Sequence, residues 1–185
     1  SYLLYTCNRS IPANLMRTFL INLAQQRRYW IALIVIGLSL EAAALYYQYV
    51  LDEWPCVLCI HIRIWIAAFI LVSLIALAGH RFVMLTRLMH LLTAVAMAGF
   101  LERSWQVLGV ERGWIFGDCD MDLGMPAWFA LDKWLPSVFE VQTSCGYTPL
   151  LVMNITMAEV LVLISAVLLL LSLVTSVFSW FTKTK

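Results

Sequence analysis

The sequence predicts an all-α membrane protein: a four-transmembrane-helix bundle in which one long loop carries a short interfacial helix. Three observations predict it. Apolar residues make up 63% of the 185 and charged residues 12%, against about half and about a quarter in soluble domains. The apolar residues gather in four runs of about 20 residues, and at about 1.5 Å per residue each run crosses a hydrocarbon core of about 30 Å. Lys and Arg cluster on one side of those runs. Nothing repeats at a fixed period and no segment is low-complexity, so one membrane domain is expected over residues 30–180.

The first run covers about Trp30 to Val50 and follows Arg17, Arg27 and Arg28. Residues 1–29 are read as a cytoplasmic N-terminal segment. A cleaved leader is the competing reading, with Ala42-Ala43-Ala44 as a small-residue cleavage site. The run is longer than a leader's apolar stretch, and Glu41 sits in its middle, so a retained span is expected. The second run covers about Val57 to Ala78, the third about Leu88 to Leu108, and the fourth about Ala158 to Trp180. Arg81 and Arg87 lie between the second and third, and Lys183 and Lys185 lie in the tail 181–185. The loop at about 109–157 carries Glu111, Asp118, Asp120, Asp122, Asp132 and Glu140 against only Arg112 and Lys133. The positive-inside rule then puts both termini in the cytoplasm, and the first turn and the long loop outside. The net charge of +1 reflects this asymmetry and points to no nucleic-acid partner.

Five cysteines are present: Cys7, Cys56, Cys59, Cys119 and Cys145. Cys7 falls on the cytoplasmic side and is read as a leftover reduced thiol. The other four face outward, where disulfides persist. Cys56 and Cys59 form a Cys-x-x-Cys pair at the start of the second helix, where residues three apart share a face. Pro55 suits the first helical turn, since its missing N–H costs nothing there. A helix N-terminus favours the thiolate, the reactive form of cysteine. Half of a zinc site is the alternative, and it would need two further ligands from Cys119, Cys145 or His61. Cys119 and Cys145 stand 26 positions apart in the acidic loop. Their bland reading is a staple worth roughly 3–4 kcal/mol. The redox-like pair on the same side of the membrane favours exchange between two pairs, which needs only a loop able to bring them together.

Arg63 follows Cys59 by four residues and shares its helix face. A central arginine costs about 2.5–3.5 kcal/mol to insert, so it is paired, snorkelling or functional. Functionally, its guanidinium would hold a Cys59 thiolate and polarise the carbonyl oxygen of an oxidant. Glu41 is read as a structural partner inside the bundle. Glu102 and Arg103 are read as interface charges, with Arg103 the weaker site candidate. His61 and His90 are expected to pack or hydrogen-bond rather than bind metal, and no metal site is expected. Residues 131–139 (Leu-Asp-Lys-Trp-Leu-Pro-Ser-Val-Phe) mix apolar, aromatic and charged side chains, which fits an interfacial amphipathic helix tethering the loop.

From about Trp30 onward the chain resembles the DsbB family of bacterial membrane disulfide oxidoreductases. The resemblance rests on Ser39-Leu40-Glu41, Tyr46-Tyr47-Gln48, the run from Pro55 through Cys56, Cys59 and His61 to Arg63, Cys119-Asp120, Pro126-Ala127-Trp128, the 131–139 segment and Cys145. It implies a four-helix bundle of the inner membrane that reoxidises a periplasmic, thioredoxin-fold DsbA-like oxidase and passes the electrons to ubiquinone or menaquinone. By the same resemblance, Cys119 meets the partner and Cys145 is its intramolecular mate. Cys145 then attacks Cys56, Cys59 contacts the quinone, and Arg63 holds thiolate and quinone oxygen. A partner that is so strong an oxidant needs a better electron sink than an ordinary disulfide, and a quinone supplies one. The best-known members carry a histidine after the third helix, where this chain reads Gly109-Val110-Glu111-Arg112.

Two other readings compete. An enzyme resembling vitamin K epoxide reductase would have its Cys-x-x-Cys after the loop cysteines, and here the pair comes first. A non-enzymatic membrane scaffold or metal carrier with a stapled loop would keep its function without Cys59 and would hold stoichiometric metal.

Overall fold

Four long helices carry the fold. The computed structural model describes residues 26–116, 122–126, 130–146, 148–149 and 155–180. Helix α1 is Arg27–Val50, α2 is Val57–Ala78 and α3 is Val83–Glu111. Two single turns follow, α4 at Leu131–Trp134 and α5 at Pro136–Phe139, and α6 is Met157–Trp180. All four long helices have the length and apolar composition to cross a membrane. With no water to satisfy the backbone there, a continuous helix is the economical spanning structure.

The helix starts are chemically marked. The Cys56 sulfur caps α2 by accepting the Cys59 N–H at 3.4 Å. Pro55 therefore lies just before the cap, two positions ahead of the first helical residue, Val57, and not in the first turn as expected. At α6, Thr156 and Glu159 form a reciprocal capping box: Glu159 accepts the Thr156 N–H and the Thr156 hydroxyl accepts the Glu159 N–H. Helix α3 runs beyond the expected 88–108 at both ends. Its 29 residues span about 43 Å, more than a hydrocarbon core needs.

The expected interfacial helix over 131–139 is broken into α4 and α5 at Leu135, whose backbone (φ −136, ψ 64) is not helical. The cause is local, because the residue before a proline is pushed out of the helical region. Trp134 and Leu135 are exposed, while Phe139 turns inward.

The main core joins Trp30 and Leu33 of α1, Ile66 and Phe69 of α2, Met97 and Phe100 of α3, and Leu168 of α6. Close approach of α2 and α3 depends on Gly99: a Cβ there would stand 2.4–2.6 Å from the Trp65 ring. A smaller cluster of Val57, Ile60, Leu123 and Phe139 seats the loop on the first turns of α2.

Helices α1 and α6 meet at one end and part at the other. Tyr29 and Thr175 share a hydrogen bond of 3.0 Å. Trp30 lies fully buried there, packed against the His90 ring. Past Gly37, the only residue of α1 that is buried is Gln48. The unpacked stretch opens the site described next.

Candidate functional site

The turn between α1 and α2 folds back on itself, with the Glu53 N–H donating to the Tyr47 carbonyl at 3.0 Å. Asp52 takes a left-handed conformation (φ 52) to make the reversal, which asparagine and aspartate tolerate better than most residues. The Pro55 carbonyl accepts N–H groups of Gln142 at 3.0 Å and Thr143 at 3.3 Å, and Cys56 pairs with Thr143 as a parallel bridge. These main-chain bonds fix the returning limb of the loop against the mouth of α2. They deliver Cys145, two residues further on, to the same place.

Three thiols gather there. The Cys56 and Cys59 sulfurs lie 3.0 Å apart, with Cys56 donating; a disulfide would hold them at about 2.05 Å. Cys145 in turn hydrogen-bonds to Cys56, and the amides of Val57 and Leu58 point at its sulfur. The arrangement is a chain of S–H donors, Cys145 to Cys56 to Cys59, laid across the N-terminus of α2. Cys56 and Cys59 are not joined by a disulfide. The hydrogen bond from Cys145 lowers the Cys56 pKa, but donation to Cys59 and burial outweigh it and push Cys56 up to about 12. Cys145 is also raised, first by donating to Cys56 and then by burial. A proton is thus held on the two outer sulfurs while the innermost one accepts.

Below the thiols lies an apolar cavity of about 420 Å³. Leu40, Ala43, Ala44 and Tyr47 of α1 form one wall, and Met157, Val160, Leu161 and Ile164 of α6 form the opposite one. Cys56, Cys59, Ile62, Arg63 and Ile66 of α2 line it between them. The shared face of Cys59 and Arg63, expected from their spacing, therefore opens on one chamber. The arginine does not snorkel: it is only 4% exposed. Its Nη1 donates to Gln48 Oε1 at 2.6 Å and to the Val138 carbonyl at 2.9 Å, and its Nη2 donates to the Ala44 carbonyl at 3.0 Å. Three of its five N–H groups are spent on the protein, which leaves two for a ligand.

A flat carbonyl compound with an apolar tail fits this donor set. The helix-borne walls are mostly aliphatic, the polar lining comes from Arg63, the Cys56 and Cys59 thiols, Asp52, Glu53, Thr143, Ser144 and Thr148, and the chamber lies among the long apolar helices. Sites for apolar ligands commonly have this form, with few polar groups fixing orientation.

The remaining sequence candidates fall into place around it. Cys7 and Cys119 lie outside the described residues. Glu41, read as a structural partner inside the bundle, interacts electrostatically with Arg63, and its buried Oε1 makes no hydrogen bond. Glu102 and Arg103 pair with each other at 3.3 Å, and Arg103 also donates to Gln106. His61 Nε2 bonds the Leu123 carbonyl at 3.3 Å. No cluster of three or more metal-ligating side chains occurs among the described residues. Sequence reasoning missed Gln48 and Gln142. Gln48 is the one residue past Gly37 that α1 buries, and its sequence signals are its place in the Tyr46-Tyr47-Gln48 stretch of the resemblance and an amide near the end of an apolar run.

Residues 26–175 match the family profile described as disulfide bond formation protein DsbB. The chain is 33% identical over 141 residues to disulfide bond formation protein B of Shewanella denitrificans, covering 76% of this chain and 81% of that one. It is 30% identical over 169 residues to the protein of that name from Photorhabdus laumondii, covering 91% and 99%. It is also 32% identical over 122 residues to disulfide bond formation protein B 2 of Pseudomonas aeruginosa, covering 65% and 72%.

Proposed function

The chain belongs to the DsbB family of disulfide bond formation proteins, and on that premise we propose that it is a quinone-coupled thiol oxidase serving a periplasmic partner. As a member of that family it is a multi-pass membrane disulfide oxidoreductase. The proposal adds the partner, the electron sink, the orientation and the role of each residue.

Both cysteine pairs face the periplasm and both termini the cytoplasm, which the placement of Lys and Arg supports. The partner is a thioredoxin-fold, DsbA-like oxidase. Its thiolate attacks Cys119 of the Cys119–Cys145 disulfide, forms a mixed disulfide and releases Cys145. The partner's second thiol displaces Cys119 and leaves the partner oxidised. Cys145 as thiolate then attacks Cys56 of the Cys56–Cys59 disulfide, and Cys59 departs as thiolate. Cys119 attacks Cys145, restores the loop disulfide and frees Cys56. Each exchange breaks one S–S bond and forms one, so two electrons and two protons move from the partner to the Cys56–Cys59 pair.

One observation carries this reading: Cys145 touches Cys56, and Cys59 opens with Arg63 onto the apolar cavity. Cys56 is thus the sulfur of the inner pair that meets the loop cysteine, and both sulfurs of the pair line the cavity. Ubiquinone or menaquinone bound in that cavity supplies a two-electron, two-proton acceptor. Arg63 holds its oxygen through the two unspent N–H groups, and the helix-start amides and the arginine stabilise Cys59 as thiolate.

The test mixes the purified chain in detergent with a reduced thioredoxin-fold oxidase and a soluble quinone, and follows quinone absorbance. Turnover is expected from the wild type. Cys59→Ser is expected to lower it on the order of a thousandfold, as loss of a covalent nucleophile does. A silent wild type, or a Cys59→Ser protein that turns over normally, sinks the proposal.

A further inference from the structure

Gln48 is buried, comes from a helix otherwise unpacked at this end, and lies between two groups that the oxidase reading uses separately. On one side its Oε1 accepts the Arg63 Nη1–H at 2.6 Å. That contact fixes the amide's orientation, since the guanidinium can only donate. The Nε2 is left to face Gln142, to whose Oε1 it donates at 3.4 Å. Gln142 is tied through its own N–H to the Pro55 carbonyl and lies three residues before Cys145. A continuous polar path therefore runs from the cavity arginine, through Gln48, to the limb that presses Cys145 onto Cys56. Arg63 reinforces it with a second bond to the Val138 carbonyl, four residues before Gln142.

We propose that Gln48 is a positioning residue that couples occupancy of the cavity to the hold on Cys145. The inference rests on the quinone-oxidase reading of the same site. A ligand oxygen that accepts from the free N–H groups of Arg63 draws the guanidinium into the cavity. The shift lengthens the bonds to Gln48 and Val138, and the limb bearing Cys145 loosens. The loop cysteines are thereby released from the inner pair when the cavity is filled, and held against it when the cavity is empty. The device orders the two half-reactions without any contact between Cys145 and the ligand.

The experiment uses the full chain, reduced, in lipid nanodiscs. A short-chain ubiquinol serves as the cavity probe, because protein and probe are both reduced and no electrons flow. The readout is the rate of Cys145 alkylation by mass spectrometry, with and without ubiquinol. Wild type is expected to alkylate about three- to tenfold faster with ubiquinol, the factor carried by one hydrogen bond of ordinary strength. Gln48→Met keeps the volume and removes both bonds. It is expected to show a fast rate that ubiquinol does not change. Gln48→Glu still accepts from Arg63, and the Gln142 amide can turn to donate to it, so it is expected to restore the response. A role in packing alone would be kept by methionine. A Gln48→Met protein that responds to ubiquinol as wild type does overturns the inference, and so does a wild type whose Cys145 ignores ubiquinol while quinone turnover is normal. A wild type with no quinone turnover overturns the oxidase reading itself, and this coupling with it.

Discussion

Helix α1 is packed differently at its two ends. At the Tyr29 end, α1 buries Tyr29, Trp30, Leu33 and Gly37 in the bundle, and the Tyr29 hydroxyl shares a hydrogen bond with Thr175 of α6. At the cysteine end, the same helices present Ala43, Ala44, Leu161 and Ile164 to a chamber of about 420 Å³. Both stretches are apolar enough to lie in lipid, so hydrophobicity does not tell them apart. What differs is side-chain reach. A fully buried indole and a ring-to-ring contact with His90 close the first end, whereas alanines leave the second end open. Packing closes α1 onto the bundle at the first end and leaves room beside the thiols at the second.

The contrast can be broken most strongly from the closed end. Trp30→Ala deletes the largest fully buried side chain and is expected to cost about 3–5 kcal/mol of stability. The KM for quinone should stay unchanged in the protein that remains folded. Thermal unfolding in detergent and steady-state kinetics check the two halves, and a raised KM with normal stability would contradict the division. Filling the open end is expected to do the reverse. Ala43→Phe places a ring in the cavity and should raise the KM for quinone about tenfold, near 1.4 kcal/mol. Melting temperature and exchange with the partner should stay near wild type. The smallest effect concerns the thiol chain above the cavity. Because the Cys145 pKa is raised, less thiolate is present at neutral pH than in a free cysteine. Its alkylation rate in the reduced protein should therefore lag that of a free cysteine at pH 7.5 and keep climbing past about pH 9, where an ordinary thiol levels off. Cys56→Ala removes the acceptor of its S–H and should speed alkylation several-fold at pH 7.5. An unchanged rate there would mean that Cys145 does not donate to Cys56.

Much of this was legible in the chain. The four spans were found because apolar length is a local property, and the structure moved their ends by a few residues only. The placement of Cys56 and Cys59 at a helix start, and of Arg63 one turn deeper, followed from helical spacing alone. The two-turn break at Leu135 was readable from Pro136 but was passed over, because the amphipathic pattern continues across it. Gln48 was not legible as a site residue. An amide near the end of a span has an ordinary reading as an interface group, and its partners lie 15 and 94 positions away.

By itself, then, the sequence determined what repeats along a helix: span length, cysteine order, the sidedness of charge, and which residues share a face. These are set by a 1.5 Å rise and a period of about 3.6 residues, and need no distant partner. Tertiary structure alone decided which sulfur meets which, where the arginine spends its donors, and that α1 and α6 separate around a cavity. The meeting of the sulfurs follows the Pro55 carbonyl's capture of Gln142 and Thr143 from the remote loop, and the arginine's donors go to Gln48, Ala44 and Val138, all 15 or more positions away. Main-chain hydrogen bonds between remote segments are open to any residue type, so they leave no mark in the composition of either segment.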